Sequence, residues 1–212
     1  MLVATCGLCA LALVATAVWP DLDITVARFS LLPPDSAWRP LVALAREIGR
    51  ATPFVLLAGA LIMLAALAAR GKLDRPTAWR RAVFVALTLA LGPGLLVNAG
   101  LKAHSHRPRP GHTIEVADGK LPFRPYYRFD GGCTTNCSFS SGEAASAFWT
   151  AGPALLTPPH VRMAAVAAAL VFGAGVSASR LALGAHFLSD VAFSALLVLL
   201  LVLTTRRLFR LA

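Results

Sequence analysis

Residues 163–205 read MAAVAAALVFGAGVSASRLALGAHFLSDVAFSALLVLLLVLTT. Two apolar runs, Met163 to Ser179 and Phe187 to Thr205, flank the short polar-edged link Arg180 to His186. Each run is close to the roughly 20 residues that a helix needs to cross hydrocarbon. Backbone groups in lipid find no water, and neither run alternates like a barrel strand, so both are expected to be helices. The link leaves room only for a tight antiparallel hairpin. Ser179, Arg180, His186 and Asp190 mark its turn, where polar side chains meet the end of the apolar phase.

Working outward, four more runs have the same character: Leu2 to Trp19, Thr52 to Ala69, Ala82 to Leu101 and Ser141 to Leu156. More than half of the 212 residues are hydrophobic and only 14% are charged, which excludes an ordinary soluble domain. The expectation is an all-α, single-domain, polytopic membrane protein over 1–212 with six transmembrane helices. Ala- and Gly-rich stretches such as Ala164 to Gly175 suit close helix contact. Ala15-Thr16-Ala17 is similar to a signal-peptide cleavage site, but the first run is long for such a segment and no Lys or Arg precedes it, so it is read as a retained helix.

An even number of spans puts both termini on one side. The connector Arg70 to Arg81, Arg162 in the short connector before the fifth run, and the tail with Arg206, Arg207 and Arg210 are densely basic, which makes that side cytoplasmic. The signal lies in density, because 11 of the 20 Lys and Arg fall on the other side, in longer loops that count for little. The outer side holds residues 20–51, whose part Leu41 to Arg50 suits an interfacial amphipathic helix, the long loop 102–140, and the link at Arg180. Cys133 and Cys137 lie in that outer loop, where an oxidising compartment favours a disulfide over a two-thiol zinc site. Cys6 and Cys9 read as small buried hydrophobes.

Three polar clusters fall at the outer face, and ionisable residues at such positions are functional candidates. The first is Lys102-Ala-His-Ser-His-Arg-Pro-Arg109-Pro110, where prolines hold arginines in extended backbone. Taken alone, it reads equally as a solvated basic loop. The second, Ser140-Ser141-Gly142-Glu143, opens a helix; it spells either an anion site on free N–H groups or a capping box. The third is Ser179-Arg180 with His186 and Asp190, the last two sharing one helix face; Gly184 supplies a helix stop that folds Arg180 back beside the histidine. Together they describe a phosphate cage. Lys102, Arg109 and Arg180 would neutralise oxygens, with N–H donors from Ser141 and Gly142. His186 would attack phosphorus, and Asp190 would orient it. No metal is called for, since the cations carry the phosphate charge, and no cofactor is expected.

The chain resembles the type 2 phosphatidic acid phosphatase superfamily, whose pattern is Lys-x6-Arg-Pro, Pro-Ser-Gly-His and Ser-Arg-x5-His-x3-Asp. The first and third motifs stand here as Lys102 to Pro110 and Ser179 to Asp190. In the second, Ser140 replaces the proline and Glu143 the histidine that the family uses to protonate the leaving alkoxide. Glu143 is therefore a candidate general acid, a cap or a substrate-positioning group, with His104 or His106 as other candidates. Pro20-Asp-Leu-Asp-Ile24, Gly92 to Asn98, Asn136-Cys-Ser-Phe139 and Gly184 to Asp190 resemble the lipid A 4′-phosphatase branch. That resemblance implies a bacterial inner-membrane enzyme acting on lipid A at the periplasmic face, with neither nucleic acid nor an obligatory protein partner.

Lys120, Arg124 and Arg128 alternate with Phe123, Tyr126, Tyr127 and Phe129. This surface reads either as a grip on an anionic sugar headgroup or as a plain interfacial belt. Rival readings are another lipid phosphatase of the superfamily, for lipid A 1-phosphate, undecaprenyl pyrophosphate or phosphatidylglycerophosphate, a lipid phosphotransferase, and a non-enzymatic anion transporter. A transporter calls for ionisable groups through the membrane depth, where this sequence has few.

Overall fold

In the computed structural model, which describes residues 1–211, helices make the whole architecture. Helix α1 (Leu2–Val18) bends by 113° into α2 (Asp21–Ser30). Next come α3 (Arg39–Ala69) and α4 (Arg75–Leu89), the latter running on as a π-helix (Ala90–Leu101) and a last turn to His104. After the outer loop follow α5 (Gly142–Trp149), a four-residue piece (Ala151–Ala154), α6 (Pro159–Ala182) and α7 (Leu188–Leu208).

Among the described residues, four helices are long and apolar enough to cross a membrane: α3, α4 with its extension, α6 and α7. The α1–α2 pair makes a fifth if it counts as one broken span. The six spans expected from the sequence differ from this in two places. The first run stops at Val18 and turns. The run Ser141 to Leu156 becomes two short helices, because Pro153 has no N–H for the Trp149 carbonyl and the helix breaks at Thr150. Nearly all of α5 is buried, packed among α3, α4, α6 and α7, so it is the core of the bundle. Residues Leu41 to Arg50 belong to α3 itself; Pro53 removes one backbone bond without ending that helix.

The core joins Phe84, Val85, Phe148, Trp149, Val198 and Val202. Trp149 Nε1 donates to Thr88 Oγ1 at 2.9 Å, so the largest buried side chain has its polar atom satisfied. Gly173 lets α6 meet α5 closely, since a Cβ there would lie 2.6 Å from the Phe148 ring.

The hairpin turn between α6 and α7 is a Schellman stop. Ala185 N donates to Arg180 O at 3.0 Å and Gly184 N to Leu181 O at 2.9 Å, with Gly184 at φ +64°. The same turn anchors other parts of the chain. Gly111 N donates to Gly184 O, and Leu32 N to Ala182 O, each at 2.9 Å. The outer loop and the end of α2 are thereby fixed to the segment that carries His186.

Candidate active site

His186 sits just before α7 and is buried. Its Nδ1 lies 2.8 Å from the Ser138 carbonyl. A carbonyl only accepts, so Nδ1 carries the hydrogen and Nε2 keeps its lone pair. Asp190 Oδ2 stands 3.6 Å from the same Nδ1, near enough to favour a positive imidazole but not its direct hydrogen-bond partner. Burial pushes the His186 imidazole below the ordinary histidine range; Asp190 opposes the fall, and Arg180 and Arg109 add to it. Burial and the two arginines both favour the neutral form of the imidazole.

Asp190 is fully engaged. Its Oδ2 accepts from Ser138 Oγ at 2.5 Å and from the Phe187 N–H at 2.7 Å, which also closes the first turn of α7. Its Oδ1 accepts from Arg107 at 2.5 Å. Arg107 in turn reaches Asp23 Oδ2 at 2.8 Å, and Ser189 donates to Asp23 through both its N–H and its hydroxyl. Asp23, Arg107 and Asp190 are each at most 1% exposed.

Lys102, Arg109 and Arg180 come from three parts of the chain, and the charges of Arg109 and Arg180 reach far enough to bear on Lys102 and on His186. Arg109 is aimed by Asn136, which accepts from Arg109 Nε through its carbonyl at 2.9 Å and from Nη2 through Oδ1 at 2.6 Å. Asn136 lies inside the loop closed by the Cys133–Cys137 disulfide, so that bridge holds the partner of an arginine of the cage. Arg180 is buried, and its Nε has no hydrogen-bond partner among the described residues.

The second cluster departs from its expected forms. Ser141, not Ser140, caps α5, accepting from Ala144 N at 3.3 Å. The Ser140 hydroxyl is buried without a partner, and the N–H groups of Ser141, Gly142 and Glu143 donate to no described group. Glu143 takes no part in a capping box. Its carboxylate accepts from Arg46 Nη2 at 2.8 Å and from Arg46 Nε at 3.1 and 3.2 Å, and Arg180 Nε stands 3.5 Å away. A carboxylate between two guanidinium groups has no proton to give. His104 and His106 are exposed and bind the Gly100 and Cys133 carbonyls. A cavity of about 290 Å³ is lined by Lys102, Gly142 and Glu143 together with Arg50, Phe54 and Asn98. Arg109, Arg180 and His186 are not on its wall.

The headgroup candidates are split. Arg124 and Arg128 both pair with Asp130, at 3.4 and 2.7 Å, while Lys120 is exposed. Phe123 packs on Phe187, and Tyr126 and Phe129 pack on Phe139, so these rings hold the loop against the site, with Tyr127 and Phe129 also partly outside. Sequence reasoning named Lys102, Arg109, Arg180, His186 and Asp190. It passed over Arg46, Asp23, Arg107 and Asn136 as site residues. The Asp-x-Asp of residues 21–23, an acid inside an apolar stretch, was the signal that pointed to one of them.

Comparison with known proteins bears on the family and the fold. Lipid A 4′-phosphatase from Francisella tularensis subsp. novicida (strain U112) is 39% identical over 122 residues, 57% of this chain and 54% of that protein. Lipid A 4′-phosphatase from Rhizobium leguminosarum is 46% identical over 104 residues, 49% of this chain and 44% of that one. The aligned stretch thus spans about half the length of these relatives. The crystal structure of a transmembrane PAP2-type phosphatidylglycerolphosphate phosphatase from Bacillus subtilis superposes with a TM-score of 0.61 at 19% identity, covering 99% of this chain and 96% of that one. The family described as the PAP2 superfamily matches residues 81–211, the part that holds every motif residue from Lys102 to Asp190. The chain belongs to the PAP2 superfamily.

Proposed function

We propose that this protein is a membrane-embedded phosphatase that removes the 4′-phosphate of lipid A at the periplasmic face of a bacterial inner membrane, through a phosphohistidine on His186. The observation that carries the reading is the buried imidazole whose Nδ1–H is fixed on the Ser138 carbonyl, leaving Nε2 as nucleophile. Nε2 attacks phosphorus, and the P–O bond to the sugar breaks with its electron pair on the sugar oxygen. Water then cleaves the P–N bond and releases inorganic phosphate. Over the cycle water supplies one proton to the sugar oxygen, and its remaining oxygen stays on phosphate. Asp190 stabilises the positive ring of the intermediate, and the three cations stabilise the transferring phosphoryl group. The Ser140 hydroxyl and the free N–H groups at the start of α5 are donors suited to its oxygens, and Arg180, whose Nε stands 3.5 Å from Glu143, adds its charge. Glu143 serves to hold Arg180 and Arg46 in place. Lys120, exposed and in no ion pair among the described residues, is available to a headgroup.

The substrate assignment rests on the lipid A 4′-phosphatase relatives, and the test is product analysis. Purified protein in detergent, given bisphosphorylated lipid A, should release the 4′-phosphate, and His186→Ala should release none. Loss of the 1-phosphate, or release from phosphatidylglycerophosphate alone, would overturn the substrate. Full activity in His186→Ala would overturn the mechanism.

A further inference from the structure

The mechanism above leaves one buried element unused: the pair formed by Asp23 on α2 and Arg107 in the outer loop. Arg107 is enclosed on every side. Its Nη2 donates to Asp23, its Nη1 to Asp190 and to the Ser189 hydroxyl, and its Nε to the Arg124 carbonyl at 2.8 Å. The rings of Phe187 and Phe123 lie 4.4 and 5.4 Å from its guanidinium carbon. Charge counting makes the arrangement informative. One cation lies between two carboxylates, so the cluster carries one uncompensated negative charge on side chains that are themselves buried. The group next to it that can gain a positive charge is His186, which becomes cationic when it is phosphorylated or protonated.

We propose that Asp23 is a positioning residue of this site, which by neutralising Arg107 leaves the charge of Asp190 free to support the His186 cation. This rests on His186 as nucleophile. Without Asp23, Arg107 would pair with Asp190 alone and cancel it. The other groups facing the imidazole are Arg180 from α6, Arg109 and the Ser138 carbonyl from the outer loop, and Glu143 from α5, and none of them changes with Asp23. Asp23 stands one guanidinium beyond Asp190, and a unit charge on the order of 10 Å away, with an effective dielectric near 20, moves a titration by about one pH unit.

The test is the acidic limb of kcat/KM against pH, measured on one phosphomonoester lipid so that substrate ionisation is common to all variants. Asp23→Asn should move the limb about one unit lower, because the imidazolium loses support. Asp23→Glu should restore it. Ser189→Ala, which cuts hydrogen bonds of the cluster but keeps every charge, should leave the limb in place. The double variant Asp23→Asn/Arg107→Met, again with one net negative charge, should return it to the wild-type position, and it carries the test if Asp23→Asn alone does not fold. An unchanged limb in Asp23→Asn, an equal shift in Ser189→Ala, or a displaced limb in the double variant would overturn the proposal. Titration of 15N-labelled histidine by NMR, assigned with His186→Ala, reads the same shift without turnover. A wrong nucleophile or substrate is then distinguishable from a wrong role for Asp23.

Discussion

Glu143 is where residue chemistry and family pattern part. The position belongs to a proton donor in the family pattern, yet here its carboxylate is bound by Arg46 and approached by Arg180. An anion in that place contacts an arginine of the cage as a phosphate oxygen would, and competes with one. Glu143→Gln should therefore tighten inhibition by inorganic phosphate about three- to tenfold, tenfold being about 1.4 kcal/mol. The alkaline limb of the pH–rate profile should stay where it is. A vanished alkaline limb with unchanged phosphate inhibition would restore Glu143 as the acid. The motif residues were legible in the sequence because their spacing is local or falls at helix ends. Their partners were not. Arg46 and Glu143 stand 97 residues apart, and Arg107 and Asp23 stand 84 apart, with nothing but the folded bundle to bring them together. Arg107 was read as one more cation of a basic loop, whereas its burial makes it part of the support beneath His186 and Asp190. Breaking such a buried pair on one side typically costs about 3–5 kcal/mol.

The elements that place these residues were legible to different degrees. The runs behind α6 and α7 were correctly read as helices, since long apolar segments bounded by polar residues leave little choice. The run behind α5 was misjudged in length, because hydropathy does not register the single missing N–H of Pro153. The π-helix Ala90–Leu101 was equally invisible to composition, although Pro93 lies within it and Asn98 Nδ2 donates to the Pro93 carbonyl at 2.7 Å. That wide helix brings Asn98 against the first residue of α5. A Cβ on Gly142 would lie 2.4 Å from Asn98 Oδ1 and 3.0 Å from its Cγ. Gly142→Ala must then either turn the Asn98 amide away, breaking its bond to Pro93, or push the N-terminus of α5, with the Ser140 hydroxyl and Glu143, out of register. We expect at least a tenfold fall in phosphate release and about 1–3 kcal/mol lost in stability, as for other overpacked sites. Gly175→Ala on α6, where nothing lies within 4 Å, should change stability by no more than about 0.5 kcal/mol. Equal behaviour of the two variants in turnover and in thermal unfolding would refute the close packing of α5 on the π-helix.

Across the whole molecule, charge is sorted by end. Arg80, in the first turns of α4 next to the basic connector, donates to the Phe209 carbonyl just beyond α7, so that end of α4 and the carboxyl-terminal tail meet. His186 adjoins the opposite end of α7, whose 21 residues extend about 30 Å, the thickness of the hydrocarbon layer. The cage and the basic connector therefore stand at opposite ends of one spanning helix, and the positive-inside rule assigns the connector to the cytoplasm. Orientation follows as a prediction with two arms. In a chain with Cys6 and Cys9 replaced by alanine and the Cys133–Cys137 disulfide intact, one exposed lysine at a time is changed to cysteine. A maleimide that passes outer-membrane pores but not the inner membrane should label Lys120→Cys in intact cells. It should label Lys72→Cys only after the inner membrane is opened. The reverse pattern would put the cage in the cytoplasm, where the disulfide that holds Asn136 against Arg109 would face a reducing compartment. It would also remove lipid A already delivered to the outer leaflet from the reach of the site.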